Sequence, residues 1–148
     1  MTQRRLAREC ALEVLYRLEL VGDEPEDTIQ ELLVRKNPSD EGETHLRRIV
    51  ATVQTRRREI DLTLRRHLRR WRLERLKMLD RSILRIGCAE LLFFDDVPPK
   101  VAINEAVDIA KKFSDDDSGR FVNGVLDGIS RECRPVKTEE GKNEPGAE

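Results

Sequence analysis

Residues able to carry out catalysis are few in this 148-residue chain, and their spacing does not suit it. An enzyme needs a nucleophile with its base, paired carboxylates, metal ligands or a glycine-rich loop that holds phosphate. The two histidines, His45 and His67, fall in charged helical segments without suitably spaced partners, so both are predicted to be surface or boundary residues. The eight glycines form no phosphate-binding array. The sequence therefore predicts a protein that is not an enzyme and needs no cofactor.

The acidic run Asp115 to Asp117 is the only hint of a cation site, and it is incomplete. A calcium loop needs further oxygen ligands at set spacings after such a run, and the sequence does not supply them. A solvated loop that caps the following helix is the better interpretation, and no metal is expected.

Three cysteines, Cys10, Cys88 and Cys133, are too far apart for a Cys-x-x-Cys pair, which argues against a disulfide framework or a zinc site. No apolar run approaches the roughly 20 residues that span a bilayer. We therefore expect a soluble, cytoplasmic protein without a membrane partner.

Charge is unevenly distributed although the formal net charge is only −1. The stretch 47–77 holds twelve lysines and arginines against three acids, and 21 of the 28 basic residues are arginine. Arginine grips phosphate bidentately and stacks on bases, which favours a polyanion as partner. An arginine-rich composition inherited from a GC-rich genome explains the count equally well.

Two groups of residues suggest RNA as that polyanion. Arg4, Arg5 and Arg8 share one side of the first predicted helix, whereas Arg120 and Phe121 begin the last. Single-stranded RNA is bound by cations that follow the phosphates and by aromatic rings on which bases stack. From the residues alone, a core position for Phe121 and a solvated face for the arginines remain the commoner interpretation.

Apolar residues recur at spacings of three and four, the signature of amphipathic helices. Seven such stretches occur, at 6–18, 29–33, 46–53, 60–71, 83–94, 102–113 and 121–129. Trp71 and Phe113 are placed on apolar faces by this pattern. A bend is predicted within 55–58, where Arg57 takes the place of an apolar residue.

Several residues mark the predicted helix ends. Asn37 and Pro38 should end the second helix, Asp80 should be the N-cap of the fifth, and Pro99 should open the sixth. Asp117 or Ser118 is expected to cap the seventh.

The dipeptide Asn123-Gly124 could also form a hairpin turn. Its flanking arms are too short for strands, so helix is preferred at this point.

Four ordered motifs resemble the NusB family of transcription antitermination factors. They are RRLARECA at 4–11 running to Leu15-Tyr16, DRSILRI at 80–86 with Glu90-Leu91, VPPKVAINEAVDIAK at 97–111, and FVNGVL at 121–126. The resemblance covers about residues 3 to 132. It leaves the basic block 47–77 and the tail unexplained.

This resemblance implies an all-α fold of about seven helices in two small packed helix bundles. One domain would span 1–134, with an N-terminal bundle at about 1–72 and a C-terminal bundle at about 73–134. Residues 135–148, with few apolar side chains, are expected to be a disordered acidic tail.

The resemblance also implies a function and a site. The protein would bind single-stranded boxA-type RNA together with the small-subunit ribosomal protein NusE, join the RNA polymerase elongation complex indirectly, and promote processive transcription of ribosomal RNA operons. RNA contact would fall on Arg4, Arg5, Arg8, Tyr16, Asp117, Arg120 and Phe121. Contact with the protein partner would fall on Glu74, Asp80 and Arg81.

The chain departs from the family in its N-terminal basic tract, because Leu6 follows Arg5 where more arginine is usual. Three arginine contacts would give a log-log salt slope of roughly −2. Such modest electrostatics predict that RNA binding depends on help from the partner.

Two other functions fit the same helices. A related domain is fused to ribosomal RNA cytosine methyltransferases, but here a polar tail follows the helices instead of a catalytic domain. The second alternative is a purely protein-binding adaptor with Phe121 in its core.

Overall fold

The computed structural model describes residues 2–133 as seven α-helices, one 3₁₀ turn and no strand. The helices are α1 (Gln3–Val21), α2 (Pro25–Lys36), α3 (Asp40–Thr55), α4 (Arg57–His67), α5 (Met78–Phe93), α6 (Pro99–Phe113) and α7 (Asp116–Cys133), with the 3₁₀ turn at Leu73–Arg75. The all-α prediction is confirmed. The predicted disordered tail lies outside the described residues.

Local signals set most helix ends as predicted. Asn37 ends α2 in the left-handed conformation, with φ 47°, which asparagine tolerates better than most residues. Arg56 separates α3 from α4, so the predicted bend is confirmed. Pro99 is the first residue of α6, where its missing N–H costs nothing. Asn123 and Gly124 lie within α7, and the hairpin alternative is excluded.

Two predicted caps are wrong. Helix α5 begins at Met78 with Lys77 at the N-cap position, so Asp80 lies inside the first turn, where it is buried. At α7 the cap is Asp115, whose Oδ1 accepts a hydrogen bond of 2.8 Å from the backbone N–H of Ser118. This hydrogen bond lowers the pKa of Asp115. Both helices start earlier than the apolar periodicity indicated.

Two aromatic side chains predicted on apolar faces are exposed instead. Trp71 is 57% exposed and Phe113 is 43% exposed. Helix α4 ends at His67, so the chain leaves helical phase before Trp71. Phe113 is the last residue of α6, at the edge of the packed region.

Helix α5 lies at the centre of the fold and is buried from Asp80 to Leu91. It contacts α1, α3, α4, α6 and α7, while α1 packs on α3 and α6 on α7. The buried apolar residues form one continuous core. The division into two bundles near residue 72 stays a prediction.

Two glycines in helices should respond oppositely to alanine. No heavy atom lies within 4 Å of a Cβ built on Gly124, whereas a Cβ on Gly87 would lie 2.5 Å from Leu126 Cδ1, at the contact of α5 with α7. Gly124→Ala should raise the free energy of unfolding by roughly 0.5–1 kcal/mol, because alanine has the higher helix propensity. Gly87→Ala should lower it by about 1–3 kcal/mol through overpacking. Urea unfolding followed by circular dichroism measures both, and destabilisation by Gly124→Ala would contradict the open environment.

Candidate nucleic-acid interface

A buried ionic cluster joins three helices where the sequence suggested an RNA contact. Arg8 Nε on α1 donates to both carboxylate oxygens of Glu90 on α5, at 3.0 and 2.9 Å. His45 on α3 lies with its Nε2 2.8 Å from Glu90 Oε2. The three side chains are only 4%, 1% and 2% exposed. Arg8 is off the apolar stripe of α1, yet it faces the interior because Glu90 pairs with it there.

His45 is therefore not the surface or boundary residue that was predicted. One ring nitrogen of His45 is hydrogen-bonded to the carboxylate of Glu90. The Phe94 ring stands edge-on to the imidazole, with 5.5 Å between the ring centroids. The charge pattern around His45 indicated exposure, since nothing local revealed Glu90 as its partner. His67, partly buried at the end of α4, lies at a boundary as predicted.

Arg5 is used in contacts within the protein. Its guanidinium bonds both oxygens of Glu105 on α6, and its Nη2 lies 2.9 Å from Asp108 Oδ2. The hydrogen bond from Arg5 lowers the pKa of Glu105, so the carboxylate stays charged near neutral pH.

Arg4 is neutralised more loosely. Its guanidinium reaches Asp96 at 3.3 Å and Glu41 at 3.5 Å, and its side chain is 35% exposed. Together with the burial of Arg8, these pairs leave the predicted N-terminal cation cluster with little uncompensated charge.

The second predicted group borders an open cleft of about 450 Å³. Phe121 is partly buried on its wall, and the ring of Trp71 meets it edge-on at 6.4 Å between centroids. Asp117 also lines the cleft and forms an exposed ion pair with Arg120. Partly exposed aromatic rings beside charged side chains give bases a surface for stacking.

Asp80 lines the same cleft but is 5% exposed. Its Oδ2 is 3.4 Å from Ser118 Oγ, and its Oδ1 has no hydrogen-bond partner among residues 2–133. A buried carboxylate oxygen without a donor is costly, which marks this part of the cleft as a place for a ligand's donor group.

Arg81 shapes the loop in front of α5. Its Nη1 donates to the carbonyl oxygens of Leu73, Glu74 and Leu76 at 3.3, 3.4 and 3.0 Å, and its Nη2 pairs with Glu19 on α1. The Glu74 side chain is exposed and bonded to Arg65 at 2.7 Å, which lowers the pKa of Glu74. Of the three residues predicted to contact the protein partner, only Glu74 therefore offers an exposed side chain.

Tyr16 lies in a different groove, of about 240 Å³. That groove is bordered by Leu6 and Cys10 of α1, by Leu79 of α5 and by the exposed Phe113 of α6. Leu79 and Asp80 are neighbours in the first turn of α5, so this turn separates the groove from the Phe121 cleft. The structure thus divides the predicted RNA residues among separate places. Phe121 and the pair Asp117–Arg120 are at the cleft, Tyr16 is in its groove, Arg8 is in the buried cluster, and Arg4 and Arg5 are in other ion pairs.

Sequence reasoning did not identify the loop that borders the cleft. Arg69, Arg70, Arg72 and Arg75 are all exposed, and none has a carboxylate within ion-pair distance in the described part of the chain. The density of arginines in 47–77 was a signal, but it did not distinguish these four from the paired ones. Trp71, set among them, was assigned to an apolar face.

Other kinds of site are not indicated by residues 2–133. They hold no group of three or more histidine, cysteine or acidic side chains placed to bind a metal. None of their helices is long and apolar enough to cross a membrane. Burial raises the pKa of the Cys88 thiol to about 12, which keeps it protonated and unreactive.

Comparison with known proteins gives consistent matches. The NusB family model matches residues 5–131. The transcription antitermination protein NusB of Bacillus mycoides is 40% identical over 131 residues, covering 86% of this chain and 96% of that protein. The structure of T. maritima NusB superposes with a TM-score of 0.85 at 34% identity, over 94% of this chain and 98% of that one.

One further solved structure bears on partners. A crystal structure of the antitermination factors NusB and NusE in complex with double-stranded RNA matches with a TM-score of 0.81 at 34% identity, over 89% of this chain and 98% of the matched chain.

The buried cluster predicts a large loss of stability on changing its carboxylate. Glu90→Gln should lower the free energy of unfolding by about 3–5 kcal/mol, because it removes the carboxylate that Arg8 Nε bonds and leaves the buried guanidinium only its 3.5 Å approach to Glu105. The matched control is Asp96→Asn, which weakens the exposed pairs with Arg4 and Arg48 and should cost no more than about 1 kcal/mol. Denaturant midpoints measure both variants, and equal small losses would show that the Arg8–Glu90 pair is not holding the helices together.

Proposed function

The chain belongs to the NusB family, and from that membership we propose that it is a transcription antitermination factor that binds RNA jointly with NusE. The RNA is a boxA-type element, and the complex acts with elongating RNA polymerase on ribosomal RNA operons. The chain acts by binding and not by catalysis, and it works in the cytoplasm.

One observation carries the proposal beyond family membership. Phe121 presents a partly buried ring on the wall of an open cleft, next to Trp71 and the charged pair Asp117–Arg120. A ring needed only for the core would be fully enclosed, as Phe94 is at 1% exposure. The position of Phe121 therefore supports base stacking.

The ion pairs of the first helix support the need for a partner. Arg5 and Arg8 form ion pairs with Glu105 and Glu90, so few cations on α1 remain to attract phosphate. NusE would supply the missing contacts. The exposed side chain of Glu74 supports its contact with the protein, and the open groove at Tyr16 supports contact with the RNA there. Asp80 and Arg81 would then act on the partner through the loop they adjoin.

Single-stranded RNA fits the cleft better than a duplex. Stacking on Phe121 requires an unpaired base, since the bases of a duplex are stacked on each other. The matched NusB–NusE crystal structure contains double-stranded RNA, so the experiment compares single-stranded with double-stranded RNA.

A titration of labelled RNA tests this function. We expect boxA-type single-stranded RNA to bind, more tightly with NusE than without it, and more tightly than a scrambled strand or a boxA duplex. Equal affinity for boxA and scrambled RNA, unchanged by NusE, would contradict the proposal and favour a protein adaptor.

Phe121→Ala should weaken boxA binding by about 1–3 kcal/mol through the loss of stacking. Phe93→Ala is the matched control, because Phe93 is also partly buried against the core but lies outside the cleft. Fluorescence anisotropy gives the affinities and circular dichroism confirms helical content. Equal loss in both variants would remove Phe121 from the RNA site.

A further inference from the structure

The loop between α4 and α5 combines exposed arginines with the only tryptophan of the chain. It covers residues 68–77, which we call the arginine loop. Its four arginines, Arg69, Arg70, Arg72 and Arg75, are exposed, and none has a carboxylate within ion-pair distance among the described residues, although Glu74 feels the charge of Arg72. Elsewhere the acids are paired with neighbouring arginines, as in Arg47 with Glu26 and Glu43.

Trp71 in this loop packs little against the rest of the protein. Its side chain is 57% exposed, and its ring meets Phe121 only edge-on, at an interplanar angle of 80°. The edge-on contact leaves ring faces on which a base can stack.

Hydrogen bonds from Arg81 and a buried leucine hold the backbone of the arginine loop in place. Arg81 bonds the carbonyls of Leu73, Glu74 and Leu76, and Leu73 is buried at 1% exposure. Because the backbone of the loop is already fixed, less conformational entropy is lost when a ligand binds to it. The loop is thus a supported platform and not a loose connection.

The cleft beside the loop is large enough for a base and contains a hydrogen-bond acceptor. Its volume of about 450 Å³ is within the roughly 300–1,000 Å³ typical of small-molecule sites. Arg75 and Trp71 form its rim, and the buried Asp80, with Oδ1 lacking a hydrogen-bond donor in residues 2–133, is on its lining.

We infer that the arginine loop extends the Phe121 cleft to a further segment of single-stranded RNA, in which a base stacks on Trp71 beside Phe121 while the four arginines hold the neighbouring phosphates. The inference deepens and partly rests on the proposed function, since the loop would carry nucleotides flanking the boxA element. It assigns the phosphate contacts of these flanking nucleotides to the loop. Asp80 would accept a hydrogen bond from the amino group of the stacked base, as carboxylates do from cytosine.

The sole tryptophan allows a direct test with the full chain and no label. Oligocytidine and oligouridine are added alone, without boxA or NusE, and Trp71 fluorescence is followed. We expect both to quench it, and oligocytidine to bind more tightly, because only cytosine carries the amino group. No quenching by either, or equal affinity for the two, would overturn the site as described.

A charge variant tests the phosphate contacts. Replacing Arg69, Arg70, Arg72 and Arg75 by glutamine should reduce the log-log salt slope of oligocytidine binding by about 3, since each contact on a single strand contributes about 0.7. The matched control replaces Arg35, Arg58, Lys100 and Arg131, four exposed cations outside the cleft. An equal change of slope in both variants would indicate general charge and overturn the assignment.

The same variants separate this inference from the proposed function. A short boxA RNA with NusE should still bind the loop variant, whereas a boxA RNA extended by cytidines should lose its added affinity. If wild-type protein is quenched by oligocytidine but binds no boxA with NusE, the proposed function fails and the loop site stands. If NusE alone changes Trp71 fluorescence and RNA does not, the loop is a protein contact and the inference fails.

Discussion

The carboxylate of Glu90 is the constraint on which the rest of the structure depends. It lies within the central helix α5 and is contacted by Arg8 from α1 and His45 from α3. A charge buried at 1% exposure is tolerable only with partners in good geometry. Three helices must therefore meet at this point, and α6 joins them through the 3.5 Å approach of Arg8 Nη1 to Glu105 Oε1.

The same constraint decides where charge remains available. Carboxylates on α5 and α6 neutralise Arg8 and Arg5, so the N-terminal arginines serve mainly to join helices. Uncompensated positive charge remains on the arginine loop instead. Arg81 links the two facts, because it fixes that loop while pairing with Glu19 on α1. Under the proposed assignment, folding and RNA binding use different arginines of one arginine-rich chain.

The sequence predicted the helices well because their signals are local. The left-handed Asn37, the bend at Arg56 and the opening Pro99 depend on neighbouring residues alone. Contacts between distant residues could not be read in this way. Arg8 and Glu90 are 82 positions apart, so the burial of Arg8 could not be predicted from the residues around it.

The site was predicted in part for the same reason. Phe121 was identified through its motif, and the structure puts it on the wall of a cleft, while its contact with RNA stays a prediction. Trp71 was misassigned because a helical period was continued past the true end of α4 at His67. The basic block signalled a polyanion but not which arginines were unpaired, since pairing depends on how α2, α4 and α5 pack together.

The central claim is that Arg8 stays bound to Glu90 while RNA is held at the arginine loop and Phe121. The most direct test is an NMR titration that follows arginine Nε–H and backbone amide signals as boxA-type RNA extended by cytidines is added with NusE. We expect shifts at the loop and at the start of α7, with the Arg8 Nε–H signal unchanged. A large shift at Arg8, with the arginine loop unaffected, would contradict it.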